Sequence, residues 1–248
     1  MEIKDIIRIL DPLIGIYSPS GHEDEMSKYV TEFLLRHHFF VKQDKMGNVM
    51  AFRNSGYQAP SPMLCAHMDT QQKEKDEKWG YKVVYHPDRQ CYQDLEIQFG
   101  ADDKAGIAII LALAAHTKMN FRVVFTVQEE VGQKGIRAIP QSFLKKTTWC
   151  LVLDRAGASE VVISYDYLRM CPPGFADNII EFAKPDLELR AANSDSYCDA
   201  PLIAKRGVST VNMCAGYTGQ HQPGDKIYVP DVLAITKVVE RLLTKLEA

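Results

Sequence analysis

The sequence predicts an α/β protein with a mixed, mostly parallel central sheet and helices on both faces. Three observations predict it. Amphipathic helical patterns alternate with short, strongly apolar runs, as strands covered on both faces require. One segment, Ile107 to Ala115, is apolar throughout and long enough for a helix packed on the sheet. The apolar runs also end in acids or histidines, and open α/β sheets form their sites at the carboxyl ends of strands.

The elements follow in order. A first amphipathic helix spans about residues 2 to 15. In "SPSGHEDEMSKYVTEFLLRHH", Ser20 and Glu23 stand in capping-box spacing, and Met26, Tyr29, Val30, Phe33 and Leu34 form a helical stripe. "FFVKQDKMGNVMAFR" reads as two strands joined at Met46-Gly47-Asn48. "PMLCAHMDT" is a short buried strand. The polar stretch 71 to 99 is an excursion, with strands expected over Trp79 to Tyr85 and Leu95 to Phe99. The apolar helix after Asp102 comes next, then strands in "FRVVFTVQEE" and "TWCLVLDR" and an extended "VVISYDYLRM". "ADNIIEFAKP" and "DAPLIAKRG" are short helices, "VSTVNMCAGY" is a strand, and "PDVLAITKVVERLLTKLEA" is a terminal amphipathic helix.

Composition narrows the function. At 248 residues, 46% hydrophobic and 25% charged, with net charge −3, the chain has no basic surplus for nucleic acid and no polybasic block for an anionic membrane. The N-terminus carries charges through its apolar positions, unlike a signal peptide, and no apolar run has the length of a spanning helix. The six cysteines are far apart and show no CxxC pairing, so reduced, mostly buried thiols in a cytoplasmic protein are expected.

The chemistry lies at the strand ends. "MLCA" ends in His67 and Asp69. "RVVFTV" runs into Glu129 and Glu130. "CLVL" ends in Asp154. A strand and a glycine-containing loop precede His221, and Asp102 and Asp103 stand where the apolar helix begins. Any one of these is the pattern of a helix cap or a solvated corner. Together they converge on one edge, where several carboxylates without a cation would repel one another and lose hydration. Histidines with carboxylates form the donor set of a divalent site, and Zn²⁺ takes both atom types. The absence of cysteine favours an open catalytic site, with two metals sharing a carboxylate. Two Zn²⁺ ions balance against Asp102, Glu130, Asp154 and a bridging hydroxide. Glu129 is then an acid beside the metals, suited to a general base. A phosphate cradle in "GADDKAG" is disfavoured, because it lacks the P-loop spacing and its two aspartates would repel phosphate. Lys104 is then expected to pair with nearby carboxylates.

With these residues in view, the chain resembles the co-catalytic di-zinc metallopeptidases and deacylases, most of all the peptidase T and carboxypeptidase-G-like branch. The likeness is carried by "SPSGHEDEMSKYV", "DKMGNV", "LCAHMDT", "GADDKAGIA", "QEEVGQKG", "LVLDRAG" and the segment from Asn193 to Ile227. It implies a zinc exopeptidase-like catalytic fold. It implies that His67, Asp102 and Asp154 hold one zinc and that Asp102, Glu130 and His221 hold the other. It implies that Asp69 orients His67, that Glu129 is the general base, and that the Asp102–Asp103 peptide is cis. Co²⁺ or Mn²⁺ are alternatives to Zn²⁺. The intervals between motifs are too short for the lid or dimerisation domain of such relatives, so residues 1 to 248 are expected to form a single catalytic domain.

The function expected is cleavage of an amide bond in small peptides, as an aminopeptidase or a di- or tripeptidase, with a metal-bridged water as nucleophile. A deacylase of N-acyl amino acids would use the same site. A catalytically silent binding module is the non-enzymatic alternative. Ser194 and Asp195 are read as caps of the helix that follows. His22, His37, His38, His86 and His116 are read as surface or packing residues, and Trp79 and Trp149 as core.

Overall fold

Residues 1–53, 59–71, 83–194 and 196–245 are described by the structure, a computed structural model. Helices α1 (Ile3–Ile14) and α2 (Asp24–Arg36) open the chain, and strands β1 (Phe39–Gln43) and β2 (Val49–Arg53) follow as a hairpin. Then come β3 (Ser61–His67), β4 (Val84–His86), β5 (Cys91–Gln93), α3 (Ala101–His116) and β6 (Arg122–Thr126). Two short helices, α4 (Lys134–Ala138) and α5 (Gln141–Leu144), lead to β7 (Thr147–Arg155). The next elements are β8 (Glu160–Tyr165), β9 (Leu168–Arg169), α6 (Phe175–Ala183) and β10 (Arg190–Ser194). The last are α7 (Ala200–Ala204), β11 (Thr210–Cys214), β12 (Tyr217–Thr218), β13 (Lys226–Tyr228) and α8 (Val229–Lys245).

The main sheet runs β1-β2-β6-β3-β7-β11-β8-β10, with β9 paired to β8. Its four central strands, β6, β3, β7 and β11, are mutually parallel. The expected mixed, mostly parallel sheet is therefore present. Alternate residues of these strands enter two different cores. Leu64, Ala66, Val123, Phe125, Leu151 and Leu153 face one way with α1, α3 and α8, while Met63, Cys65, Val124, Cys150 and Val152 face α4, α5 and α7. This period-2 division explains why the strands read as unbroken apolar runs. A second, smaller sheet runs β12-β13-β5-β4.

Helix α3 is the central pillar. From Ala101 to Ala114 every residue is buried. Each fully buried Ile or Leu of such a helix contributes about 1.5–3 kcal/mol, which holds the helix against the sheet without an amphipathic stripe. Gly106 permits the close approach, because a Cβ there would collide with the carbonyl oxygen of Leu153 and the carboxylate of Asp103. Trp149 is buried, as are all six cysteines, which are free thiols.

Several local expectations are corrected. The Ser20–Glu23 capping box does not form. Ser20 Oγ donates instead to Asp69 Oδ2 at 2.6 Å, and Glu23 Oε1 accepts from the amides of Gly21 and Gln128. Leu95 to Phe99 is not a strand, since the Ile97 carbonyl accepts from Gly224 N and the Phe99 amide donates to the Asp225 carboxylate. Trp79 and the first residues of the other expected strand lie outside the described residues, as does Asp195. Ser194 is no helix cap. It ends β10, its Oγ accepts from Ser196 N, and α7 begins only at Ala200. Lys104 is buried; its Nζ donates to the carbonyls of Ile14, Ile16 and Phe99, and the Asp225 and Glu25 carboxylates act on its charge. No helix among the described residues is long and apolar enough to cross a membrane.

Candidate metal centre

The central strands deliver their polar ends to one edge. His67 ends β3, and its register partner Thr126 ends β6. Cys65 pairs with Val152, so His67 and Asp154, each two residues further on, arrive side by side on the same face. A register shift between β11 and β7 falls at Asp154. There the Asn212 side chain replaces the missing ladder bonds, accepting from Asp154 N at 3.1 Å and donating to Asp154 O at 2.9 Å. A bulge of this kind re-aims a side chain.

Asp102 enters from the start of α3. The Asp102–Asp103 peptide is cis, in agreement with the family likeness. The two carboxylates then part. Asp103 turns inward, where its Oδ1 accepts from Gly106 N at 2.9 Å and its Oδ2 accepts from His67 N at 3.2 Å. Asp102 turns to the edge, with Oδ1 2.9 Å from His67 Nε2 and Oδ2 3.5 Å from His221 Nε2. His221 Nε2 also lies 2.8 Å from Glu130 Oε1, and His67 Nε2 lies 3.6 Å from Asp154 Oδ1. Two groups of three result, His67-Asp102-Asp154 and Asp102-Glu130-His221, each with its ligand atoms within 4.8 Å of one another. All five residues expected from the sequence are thus brought together, with Asp102 common to both groups.

Asp69 lies beside His67, where it was expected, and makes further contacts as well. His67 Nδ1 donates to the backbone carbonyl of Asp69 at 2.8 Å, while the Asp69 carboxylate is 3.6 Å away. That carboxylate also holds the turn after β6. Its Oδ1 accepts from Glu129 N at 2.8 Å and its Oδ2 accepts from Glu130 N at 3.1 Å. A carbonyl only accepts, so Nδ1 carries the proton and the Nε2 lone pair of a neutral ring faces Asp102 and Asp154.

A neutral ring would therefore set acceptor against acceptor, and without a cation the site favours the imidazolium. Burial works against an imidazolium at His67, yet the Asp154 charge and the bonds to Asp102 and Asp154 hold its pKa well above the usual range. Hydrogen bonds to Asp102 and Glu130 raise His221 to about 10. Burial pushes Asp154 up to about 7, with the Asp102 charge adding to it. Burial pushes Glu129 up to about 10, with Asp154, Asp199 and Glu130 contributing. Asp102 goes the other way, because its bonds from both histidines outweigh its burial. Glu129 Oε1 is buried and has no hydrogen-bond partner among the described residues. A crowded, dry set of acids and imidazoles, with an orphaned carboxylate oxygen beside it, fits divalent cations. Their charge would remove the repulsion and let neutral imidazoles face the carboxylates.

Four further residues support the site and were not singled out from the sequence. Tyr217 donates its hydroxyl to Asp154 Oδ1 at 3.3 Å. Asp199, buried at the start of α7, accepts from Thr126 Oγ1 at 2.6 Å through one oxygen, and its other oxygen has no partner. Asp225 accepts from the amides of Phe99, Gly100 and Ala101 at 3.0, 2.9 and 2.8 Å, tying the His221 loop to the segment that carries Asp102. Arg137 on α4 lines the cavity in front of the two groups, whose volume is about 560 Å³. An acid directly before "APLIA" was the one sequence signal for Asp199. The roles of the other three depend on contacts far apart in the chain.

Two three-donor groups that share one carboxylate thus stand at the carboxyl edge of a parallel sheet. A model of the M42 glutamyl aminopeptidase family matches residues 71–238, and the chain belongs to that family. It is similar to an aminopeptidase PepT from Bacillus cereus (TM-score 0.86, 14% identity, 100% of both chains). It is also similar to a tripeptidase from Staphylococcus aureus (TM-score 0.84, 14% identity, 98% of both chains). Among curated proteins it is 27% identical over 173 residues to a putative [LysW]-lysine/[LysW]-ornithine hydrolase from Pyrococcus abyssi, covering 66% of this chain and 45% of the relative. The chain spans less than half the length of the curated relatives it matches.

Proposed function

We propose that this chain is a di-zinc hydrolase that cleaves an amide bond in small peptides, with one catalytic domain over residues 1 to 248. One observation carries the reading. Two three-donor groups share Asp102, and the unpartnered oxygen of Glu129 lies beside them. The names of the similar proteins, an aminopeptidase, a tripeptidase and a hydrolase, support a peptide or peptide-like substrate.

In this reading His67, Asp102 and Asp154 hold one metal, and Asp102, Glu130 and His221 hold the other. When bound, the pair supplies Lewis acidity toward a carbonyl oxygen and acidifies a water. The remaining work belongs to the chain. Asp69 fixes the Glu129-Glu130 turn through both backbone amides, so the Glu129 carboxylate is placed by backbone rather than by side-chain packing. Glu129 takes the proton of the attacking water and returns it to the leaving amine nitrogen, so the C–N bond breaks with no net proton change. Tyr217 and Asn212 keep Asp154 aimed at His67.

Glu129→Gln separates base from ligand. Metal content, measured by elemental analysis, should stay at the wild-type value. Hydrolysis of a di- and tripeptide set with added Zn²⁺ should fall by about 10²–10⁴-fold, the contribution of a general base. Wild-type turnover in this variant would remove Glu129 from the mechanism. Fewer than one tightly bound metal per wild-type chain would favour the silent binding module.

A further inference from the structure

The charges that line the cavity divide unequally. Its acids, Asp102, Glu129, Glu130 and Asp154, all belong to the proposed metal groups or to the base beside them. The other charged residues among the described lining are two arginines, Arg137 and Arg155. Arg155 is already engaged, donating from Nε and Nη2 to Glu160 Oε2 at 3.0 and 2.8 Å. Arg137 is not. It sits exposed on α4, one turn beyond Glu130 and the tight turn that follows it, and no hydrogen bond or ion pair holds its guanidinium among the described residues. Its charge reaches the buried Asp199, where burial raises the carboxyl pKa and Arg137 offsets part of that rise. The wall facing the metal groups thus offers one uncommitted cation and no uncommitted acid.

We propose that Arg137 receives the terminal carboxylate of a short substrate, so that the site takes dipeptides, tripeptides or N-acyl amino acids with a free carboxyl end. The proposal rests on the hydrolase reading above and names its substrate class. A guanidinium presents a planar fork of donors that matches a carboxylate in two parallel hydrogen bonds, and a partly enclosed pocket strengthens the pair by displacing water. A cavity of this volume lies within the range for small ligands, and Arg137 and the metal groups line the same cavity. Among the described lining residues no acid is left to receive a substrate ammonium, so the substrate charge that the site distinguishes is negative.

The test compares Leu-Gly with Leu-Gly amide, and Glu- with Leu-p-nitroanilide, on Zn²⁺-supplemented wild type, Arg137→Ala and Arg137→Lys. Wild type should prefer the free acid over the amide by at least tenfold in kcat/KM, chiefly through KM. Arg137→Ala should bring that ratio near one, and Arg137→Lys should leave an intermediate ratio, since an ammonium keeps the charge without the fork. An acid-to-amide ratio that is near one in wild type, or unchanged in Arg137→Ala, would overturn the proposal. A Glu-over-Leu preference that Arg137→Ala abolishes, without any acid-over-amide preference, places the carboxylate on the side chain and overturns the terminal assignment. If wild type cleaves none of these compounds, the hydrolase reading fails and calorimetric binding decides the remaining question. Leu-Gly binding at least tenfold tighter than its amide to wild type, but not to Arg137→Ala, would uphold the anion site, and equal binding would overturn it.

Discussion

The two three-residue groups of the candidate centre share Asp102 and are built in different ways. In the first, His67 and Asp154 come from the ends of adjacent parallel strands, and the His67 side chain is only 2% exposed. Backbone pairing, the Asn212 brace and the Asp69 carbonyl leave its ligands little freedom. In the second, Glu130 and His221 come from loops. His221 has a left-handed backbone (φ 62°), and its side chain is 36% exposed. The strand-borne group is preorganised and dry. The loop-borne group is open to solvent at His221, while its Glu130 side chain is as buried as Asp154 (7% and 8% exposed). A preorganised site loses less entropy on binding, so the first group should hold a metal more tightly and the second should exchange it faster.

The sharpest way to break the comparison is to remove what the groups share. Asp102→Ala leaves each with two donors. Elemental analysis should find both metals lost, and peptidase turnover should drop at least 10³-fold. Retention of one metal would show that the groups are independent. Asp103→Ala should keep both metals, since that carboxylate serves Gly106 N and His67 N instead.

A smaller effect separates the groups. Calorimetric Zn²⁺ titration of His221→Ala should retain one tight site and weaken the other by at least tenfold. His67→Ala should weaken the tighter site. If both variants lose the same site, strand and loop placement does not set affinity.

The smallest effect lies in the brace between loop and helix. Asp225→Asn removes one acceptor oxygen from a carboxylate that serves three amides, and directs an N–H₂ group at backbone donors. The expected loss is about 1–3 kcal/mol. For a chain of this size it lowers Tm by about 2–4 °C per kcal/mol. Calorimetric melting measures it, and metal titration should show the loop-borne site weakened more than the strand-borne one.

Much of this was legible from residues alone. The alternation of helical stripes and apolar runs determined the layered α/β class, because a parallel sheet must be covered on both faces. The histidines and acids at the ends of those runs nominated the centre, because residues that end strands of one parallel sheet share an edge. Ser20 shows where local reading stops. Its spacing from Glu23 fits a cap equally well, but a distant acid, Asp69, competes for its hydroxyl and wins. Asp69 looked like a partner for His67 and lies against it, but its carboxylate also takes two amides of a turn some sixty residues away, which no local spacing showed. The segment before Asp102 looked like a strand until Asp225 claimed its amides.

By itself, then, the sequence determined the fold class, the five residues that converge and the acid left beside them, since those follow from hydrophobic period and charge balance. Only the tertiary structure decided which amides hold Asp103, that Asp69 also braces a turn, and that Arg137 lines the cavity without a partner among the described residues. Those outcomes are competitions between hydrogen-bond partners far apart in the chain. Distance and burial settle such competitions, and neither is written in local spacing.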